Sequence, residues 1–183
     1  QELELVCLDC HVVFDNQIKQ SQVVHEPMEE ESCLECHDPH ASSWPKLLNI
    51  PMRELCFSCH EDIRLTVEHA KTQHGALAEM GECMNCHDAH ATGRSNLLRH
   101  STRTRCLECH NKEIKTSNRK IPDMSKVLAD GMSLHGPITI NDCTNCHQIH
   151  GGDRPQLLYK EYPSTFYTSF QEESYALCFS CHD

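Results

Sequence analysis

Cysteine and histidine recur together in this chain at one fixed spacing. All 14 cysteines of the 183 residues lie in Cys-x-x-Cys-His motifs, of which there are seven. At this spacing two thiols can add to the two vinyl groups of a haem, and the histidine that follows can bind the iron as its proximal ligand. The attachment cysteines are Cys7, Cys10, Cys33, Cys36, Cys56, Cys59, Cys83, Cys86, Cys106, Cys109, Cys143, Cys146, Cys178 and Cys181. The proximal histidines are His11, His37, His60, His87, His110, His147 and His182. The motifs therefore predict seven covalently bound haems c.

Two other uses of these cysteines fit the pattern less well. Zinc sites combine Cys-x-x-Cys units in pairs or add histidines at longer spacing, and an odd number of units cannot be divided into pairs. Disulfides or redox dithiols would explain the cysteines, but they would not explain the histidine that follows every second one. Haem attachment explains both residue types.

The 15 histidines, less the seven in the motifs, leave eight candidates for the second axial ligand of the irons. They are His25, His40, His69, His74, His90, His100, His135 and His150. A single histidine of this kind is usually an ordinary surface or core residue, but six of these eight recur at fixed places in a repeat. The six methionines follow no repeat, and we expect them to pack rather than to bind iron.

A repeat that contains two motifs occurs three times. Its opening motif begins at Cys33, Cys83 or Cys143, and its closing motif begins at Cys56, Cys106 or Cys178. In each repeat, one histidine lies eight or nine residues before the first cysteine of the opening motif, and another lies seven residues after it. A Leu-Leu pair begins fourteen residues after the same cysteine. The motif at Cys7 resembles the closing half of such a repeat.

The number of residues between two histidines limits which iron each can reach. His40 lies three residues after His37, and three extended residues span at most about 10.8 Å. That is too short to pass around a porphyrin, so His40 should bind a neighbouring haem. The same argument applies to its equivalents, His90 and His150.

The histidines that precede the opening motifs have more reach. Each lies twelve or thirteen positions before the proximal histidine of that motif, and they are His25, His74 and His135. We expect each of them to bind the opening haem of its own repeat. The first haem is then left for His69 or His100, and a ligand from a neighbouring molecule is a further alternative.

Composition indicates that the protein part alone forms a poor core. Aromatic residues make up 5% of the chain, and the mean hydropathy is −0.55. With few apolar side chains to offset the entropy of ordering the backbone, we expect the haems themselves to supply the buried apolar surface. The predicted fold is mostly irregular coil with short α-helices, without significant sheet, and with haems as its core.

We divide the chain into a single-haem segment at 1–24 and three doubled units at 25–69, 70–120 and 121–183. Short helices are predicted at 53–69, 104–116, 122–130 and 172–182, where motifs or a proline and a glycine bound a helical pattern. The long stretch between the two motifs of the third unit contains six of the ten aromatic residues, which should pack over the last haem or form a docking surface. They are Tyr159, Tyr162, Phe166, Tyr167, Phe170 and Tyr175.

The segments CLECHDPHAS, CMNCHDAHAT and LCFSCH resemble the doubled CXXCH multihaem cytochromes, and the resemblance covers nearly the whole chain. It implies haems with two histidine ligands in a closely spaced chain that transfers electrons. Relatives of this kind include periplasmic haem relays, haem plugs of outer-membrane porins and subunits of extracellular haem filaments. The resemblance therefore implies redox proteins as electron donor and acceptor, and a homopolymer as one arrangement of the chain.

Three further expectations concern activity, partners and location. An enzyme needs an iron with an open position. The eight histidines outside the motifs outnumber the seven predicted irons, so every iron can have a second ligand, and we expect no catalytic activity. The net charge of −11 disfavours nucleic acid as a partner. No apolar run is long enough for a membrane-spanning helix. Haem attachment in the systems that the chain resembles takes place outside the cytoplasm. We therefore expect a periplasmic or extracellular protein whose signal peptide has been removed.

Overall fold

The computed structural model describes residues 2–30, 33–78, 82–116, 119–140, 142–163, 165 and 169–183. The chain forms two compact units, one from Gln1–Glu61 with Glu79–Ser101 and the other from Asp62–Ala78 with Thr102–Asp183. Of the aromatic residues in the third repeat, Phe166 and Tyr167 lie outside the described residues. The boundaries of the four predicted segments stay a prediction.

The first unit consists of short helices and turns around one pair of two-residue strands. Its helices are α1 (Glu2–Cys10), α2 (Val12–Gln20), α3 (Glu26–Glu29), α4 (Cys33–Cys36) and α5 (Met52–Phe57), and its 3₁₀ turns are Pro45–Leu47, Glu82–Asn85 and Ser95–Leu97. Strand β1 (Val23–Val24) pairs antiparallel with β2 (Ala91–Thr92), with Val23 opposite Thr92. This pair joins the stretch before the first opening motif to the stretch after the second.

The second unit has the same character. Its helices are α6 (Glu61–His69), α7 (Thr102–Cys109), α8 (Met124–Asp130) and α9 (Gly136–Thr139), and its 3₁₀ turns are Gly75–Leu77, Pro155–Leu157, Glu172–Tyr175 and Cys178–Ser180. Strands β3 (Ile114–Lys115) and β4 (Lys120–Ile121) pair antiparallel. The predicted fold class, irregular coil with short helices and hardly any sheet, is confirmed by both units. No helix among the described residues is long and apolar enough to cross a bilayer.

The predicted helices are present only in part. The helix expected at 122–130 begins two residues later as α8, where the Asp123 carboxylate accepts the Lys126 N–H at 3.0 Å and caps the first turn. The helix expected at 53–69 is broken into α5 and α6 by the Cys-x-x-Cys-His motif. The helix expected at 104–116 ends at Cys109, because the residues after it turn back into β3 and β4. The helix expected at 172–182 is wrong, since two 3₁₀ turns occupy that stretch.

Each Leu-Leu pair of the repeat lies in the same unusual turn. The residue before the pair and the first leucine both have left-handed backbones, with φ of 63° and 57° at Lys46 and Leu47. The second repeat has 55° and 53°, and the third has 54° and 58°, at the equivalent residues. Such a conformation costs a non-glycine residue roughly 1–2 kcal/mol. A leucine side chain can pack without a left-handed backbone, so the packing of the leucines does not explain this turn.

The turn returns the chain to the opening motif. In the first repeat Asp38 N–H donates to the Leu47 carbonyl at 2.8 Å, and Asn49 N–H donates to the Cys36 carbonyl at 2.9 Å. The other two repeats make the same pair of bonds, and each opening proximal histidine forms an isolated bridge with the second leucine. The opening motif and the Leu-Leu turn therefore form one locked loop. We call it the Leu-Leu clamp: residues 37–49, 87–99 and 147–159.

Few apolar side chains are buried by protein alone. Among the described residues only Phe57, Val67, Ala91 and Leu157 are buried hydrophobic ones. At roughly 1.5–3 kcal/mol for each large apolar side chain, this core is too small to order a chain of 183 residues. The buried apolar surface must come from another component, as the composition indicates.

We therefore predict that the polypeptide produced without haem attachment is largely unfolded. It should lose most of its helical far-UV circular dichroism and show no cooperative thermal transition, because cofactor binding and folding are coupled. The haem-loaded protein measured in the same buffer is the control. A cooperative transition in the haem-free chain would show that the protein has a core of its own.

Candidate metal centres

Histidine rings face each other in pairs at nearly the same distance. In the first unit His25 lies opposite His60, with ring centres 6.1 Å apart, and His37 lies opposite His90 at 6.2 Å. In the second unit the pairs are His74 with His110 at 6.2 Å and His135 with His182 at 6.0 Å. The ring planes within the pairs differ by 11° to 22°. Each of these four pairs joins a motif histidine to a histidine outside the motifs.

This spacing fits one iron atom between the two rings. An imidazole nitrogen binds a transition metal at about 2.0–2.1 Å. Two such bonds, together with the distance from each nitrogen to its ring centre, add up to about 6 Å. The residues present therefore fit a haem held by two histidines, with the porphyrin in the gap between the rings.

The pairing differs from the one expected for the histidines that precede the opening motifs. His25, His74 and His135 lie opposite the closing proximal histidines of their repeats, not the opening ones. For His25 the reason is a tertiary contact: its backbone N–H donates to the His90 carbonyl at 2.8 Å, and its Nδ1 lies 2.8 Å from the Ala89 carbonyl. These bonds hold His25 against the second repeat and keep its ring away from His37. The expectation that it serves the opening haem is wrong.

The short-reach histidine of the second repeat behaves as its chain length requires. His90 lies opposite His37, the opening proximal histidine of the first repeat, so it serves a neighbouring repeat. The Phe14 ring of α2 contacts the His90 ring edge-on, with ring centres 4.7 Å apart. One repeat therefore supplies the ring that faces the opening proximal histidine of another within the first unit.

Some of the candidate ligands face no second ring. The His40 side chain is 94% exposed and lies 3.6 Å from the Asp38 carboxylate. Within the described part of its own unit, neither His11 nor His147 has another imidazole ring stacked opposite it. The choice between His69 and His100 therefore stays open, and the ligand role of His150 stays a prediction.

The outer nitrogens of the opening proximal histidines have a built partner. Nδ1 of His37 lies 2.9 Å from the Lys46 carbonyl, Nδ1 of His87 lies 2.7 Å from that of Asn96, and Nδ1 of His147 lies 2.8 Å from that of Gln156. A carbonyl oxygen can only accept, so Nδ1 must carry the proton and donate. The other nitrogen, Nε2, is then left with a free lone pair for a metal. Sequence reasoning finds the Leu-Leu pair but misses this role of the residue before it.

The closing histidine His110 has the opposite environment. Its Nδ1 is buried and has no hydrogen-bond partner among the described residues. Burial lowers the pKa of His110 and of His74 opposite it, and the neighbouring imidazoles lower both further. Burial also lowers the pKa of His90, against the opposing effect of Asp88. These three side chains are therefore held neutral, which is the form that binds a metal.

Cysteines of successive motifs lie beside each other, and no disulfide joins any of the 14, each of which lies in a described part of the chain. Cys56 and Cys83 are hydrogen-bonded through their sulfur atoms, which lowers the pKa of the Cys83 thiol to about 7. Burial raises the pKa of Cys36, with a smaller contribution from Cys59 beside it. In the second unit burial raises the pKa of Cys146, and the nearby Cys181 adds to the effect. The attachment points of different haems are thus neighbours within each unit.

Comparison with known proteins gives one family. The model of the doubled CXXCH motif matches residues 25–65, 74–115 and 135–183, which is most of the chain. Each matched segment begins at one of the histidines that precede an opening motif. No curated protein matches the sequence.

We predict that replacing His90 with alanine opens one iron position. The variant should show a high-spin ferric signal from one haem by electron paramagnetic resonance, because the His37 centre loses its second imidazole. Phe14→Leu is the matched control, since it changes the side chain that touches His90 but removes no ligand. If His90→Ala stays fully low-spin, the ring pairing does not represent iron ligation.

Proposed function

The chain belongs to the doubled CXXCH family of multihaem c-type cytochromes, and we propose that its seven motifs each hold a haem c and together form one path for electrons. Haem iron supplies a centre that takes up and releases one electron reversibly. The polypeptide attaches each haem, provides its axial ligands and sets the distance to the next. In this proposal the protein transfers electrons and catalyses no reaction of its own.

The observation that supports this function best is the set of four facing histidine pairs. An iron with imidazole on both sides has no position for a substrate, but it can still exchange electrons through the porphyrin edge. The four histidines outside these pairs and outside the motifs, His40, His69, His100 and His150, outnumber the three irons that remain. Ligand supply therefore favours saturated iron throughout.

Neighbouring metal centres are joined directly by the chain. In the first unit the His25 N–H donates to the His90 carbonyl at 2.8 Å, so a ligand of the His60 centre is bonded to a ligand of the His37 centre. Cys36 and Cys59, which would hold these same two haems, lie close to each other. Such contacts favour short distances between haems, which electron transfer needs.

Charge indicates what kind of partner the protein meets. Residues 1–60 have 3 basic and 11 acidic side chains, while residues 61–126 have 11 basic and 9 acidic ones. An acidic stretch of this kind attracts redox proteins with a basic docking face. We place the protein in the periplasm or outside the cell, where haem is attached to such motifs in the systems that it resembles.

The same charge distribution favours a second architecture. A strongly acidic stretch and a basic stretch in one chain are complementary between copies, and a head-to-tail contact that does not close into a ring makes a filament. The second candidate is therefore a subunit of an extracellular cytochrome filament. A soluble relay stays monomeric, whereas the filament elutes as a large assembly when extracted without denaturant.

We predict that the intact protein has the mass of the polypeptide plus seven haems and takes up seven electrons reversibly in a potentiometric titration. The reduced protein should bind no carbon monoxide, because every iron has two protein ligands. Mass spectrometry, visible absorbance and gas titration of one sample test all three points. Carbon monoxide binding by one or more haems would contradict pure electron transfer and favour a reductase.

A further inference from the structure

The three opening proximal histidines share a device that the closing ones lack. In each clamp the carbonyl nine residues after the histidine accepts its Nδ1–H, at 2.7 to 2.9 Å. That carbonyl belongs to a residue with a left-handed backbone, followed by a leucine that is left-handed as well. The residues that supply the carbonyl are Lys46, Asn96 and Gln156, whose side chains differ in length and charge. Only the position of the backbone oxygen is repeated.

The clamp holds this oxygen firmly. In the third repeat the Gln148 N–H donates to the Leu157 carbonyl at 2.6 Å, and the Tyr159 N–H donates to the Cys146 carbonyl at 3.1 Å. These two bonds lie on either side of Gln156, and the Gln156 carbonyl accepts from Nδ1 of His147 at 2.8 Å. A strained conformation that occurs three times at the same metal-ligand contact is evidence for a role at that contact.

The closing histidines have no equivalent acceptor. Among the described residues none accepts a hydrogen bond from Nδ1 of His60, His110 or His182, and His110 Nδ1 is buried besides. The histidine that lies opposite a closing proximal histidine has an acceptor in one case. Nδ1 of His25, which faces His60, lies 2.8 Å from the Ala89 carbonyl. The closing centre of the first repeat therefore has one carbonyl acceptor, as the opening centre of that repeat does. In the described part of the chain, the closing centres of the other two repeats have no protein acceptor on either ring, and at His110 burial keeps water from Nδ1 as well.

An acceptor on Nδ1–H changes the electron affinity of the iron. It draws the Nδ1 proton outward, makes the imidazole a stronger donor through Nε2 and stabilises ferric over ferrous iron. On reduction each Fe(III) takes one electron and becomes Fe(II), while the proton stays on Nδ1, so no other reactant is consumed. A histidine with a carbonyl acceptor therefore lowers the reduction potential of its haem.

We propose that the Leu-Leu clamp sets haem potential, so that in the second and third repeats the opening haem has a lower potential than the closing haem of the same repeat. This rests on the proposed function, because it assumes that all the motifs hold haem. Electrons that enter the chain collect on the closing haems of the second and third repeats, and the haem of His110 is reduced first. The clamp residues before the leucine are positioning residues, which act on the iron through the proximal histidine.

Gln156 offers a matched pair of variants. Its side chain is exposed and neutral, so replacing it removes little packing and no charge. Gln156→Gly keeps the turn, because glycine adopts a positive φ without strain. Gln156→Pro cannot keep the φ of 54° that this residue has, because the proline ring fixes φ in the negative range. The proline variant therefore moves the carbonyl away from His147 while the glycine variant leaves it in place.

The test is a spectroelectrochemical titration of both haem-loaded variants, with dithionite as the chemical reductant for comparison. We expect Gln156→Pro to favour reduction of one haem about tenfold, a rise of about 59 mV for one electron, and Gln156→Gly to match the unchanged protein. Low-spin spectra in both variants would show that His147 is still bound. Coincident titrations of all three proteins would overturn the proposal.

A second measurement on the unchanged protein keeps the inference testable if the proline variant does not mature. Proton NMR of the haem methyl groups during stepwise reduction shows the order in which individual haems become reduced. We expect the haems of His87 and His147 to be reduced after those of His110 and His182, and that of His110 first. If the chain takes up seven electrons but its haems are reduced in another order, the inference about the clamp is wrong and the proposed function stands. A chain without seven haems contradicts the proposed function.

Discussion

Two imidazole rings with their centres 6.0 to 6.2 Å apart are the interaction on which the rest of this structure depends. The motif supplies one ring locally, because attachment cysteines and proximal histidine lie within five residues of sequence. The second ring comes from a distant part of the chain, as His90 does for the centre of His37. In the proposed haem-loaded protein each such metal centre crosslinks two segments, in the way that a disulfide or a structural zinc site does in small proteins. Ligation would there replace the hydrophobic core, of which the described residues form little.

This dependence explains why the fold has so little regular structure. Long helices or strands would satisfy backbone groups at the expense of the path that the chain must follow around each porphyrin. The clamps are an example. Lys46 and Leu47 have strained left-handed backbones, and this turn lets the chain fold back onto its opening motif through two hydrogen bonds. Strands of two residues and helices of four to nine residues fill the remaining stretches.

Much of the candidate site follows from residue types and spacing. The attachment cysteines, the proximal histidines, the three repeats and the near absence of sheet can all be inferred from the sequence. Helix positions follow less well, because the fold interrupts helices at metal centres, as at the break between Phe57 and Glu61. The carbonyl partners of Nδ1 escape sequence reasoning, since a backbone oxygen leaves no mark on residue type. Lys46 has an ammonium group, whereas Asn96 and Gln156 have amides of different length, and each is followed by the Leu-Leu pair.

The sequence by itself determined the motifs that predict haem attachment and the residues that would make it, because two thiols and an imidazole at that spacing are a local, covalent requirement. Only the tertiary structure decided which histidine faces which. Chain length sets an upper limit on reach, and the separation of His25 from His37 and from His60 allowed it to serve either centre of its repeat. Its bonds to Ala89 and His90, both far away in sequence, turned its ring to His60. Contacts at such separation depend on the path of the whole chain, which no local spacing specifies.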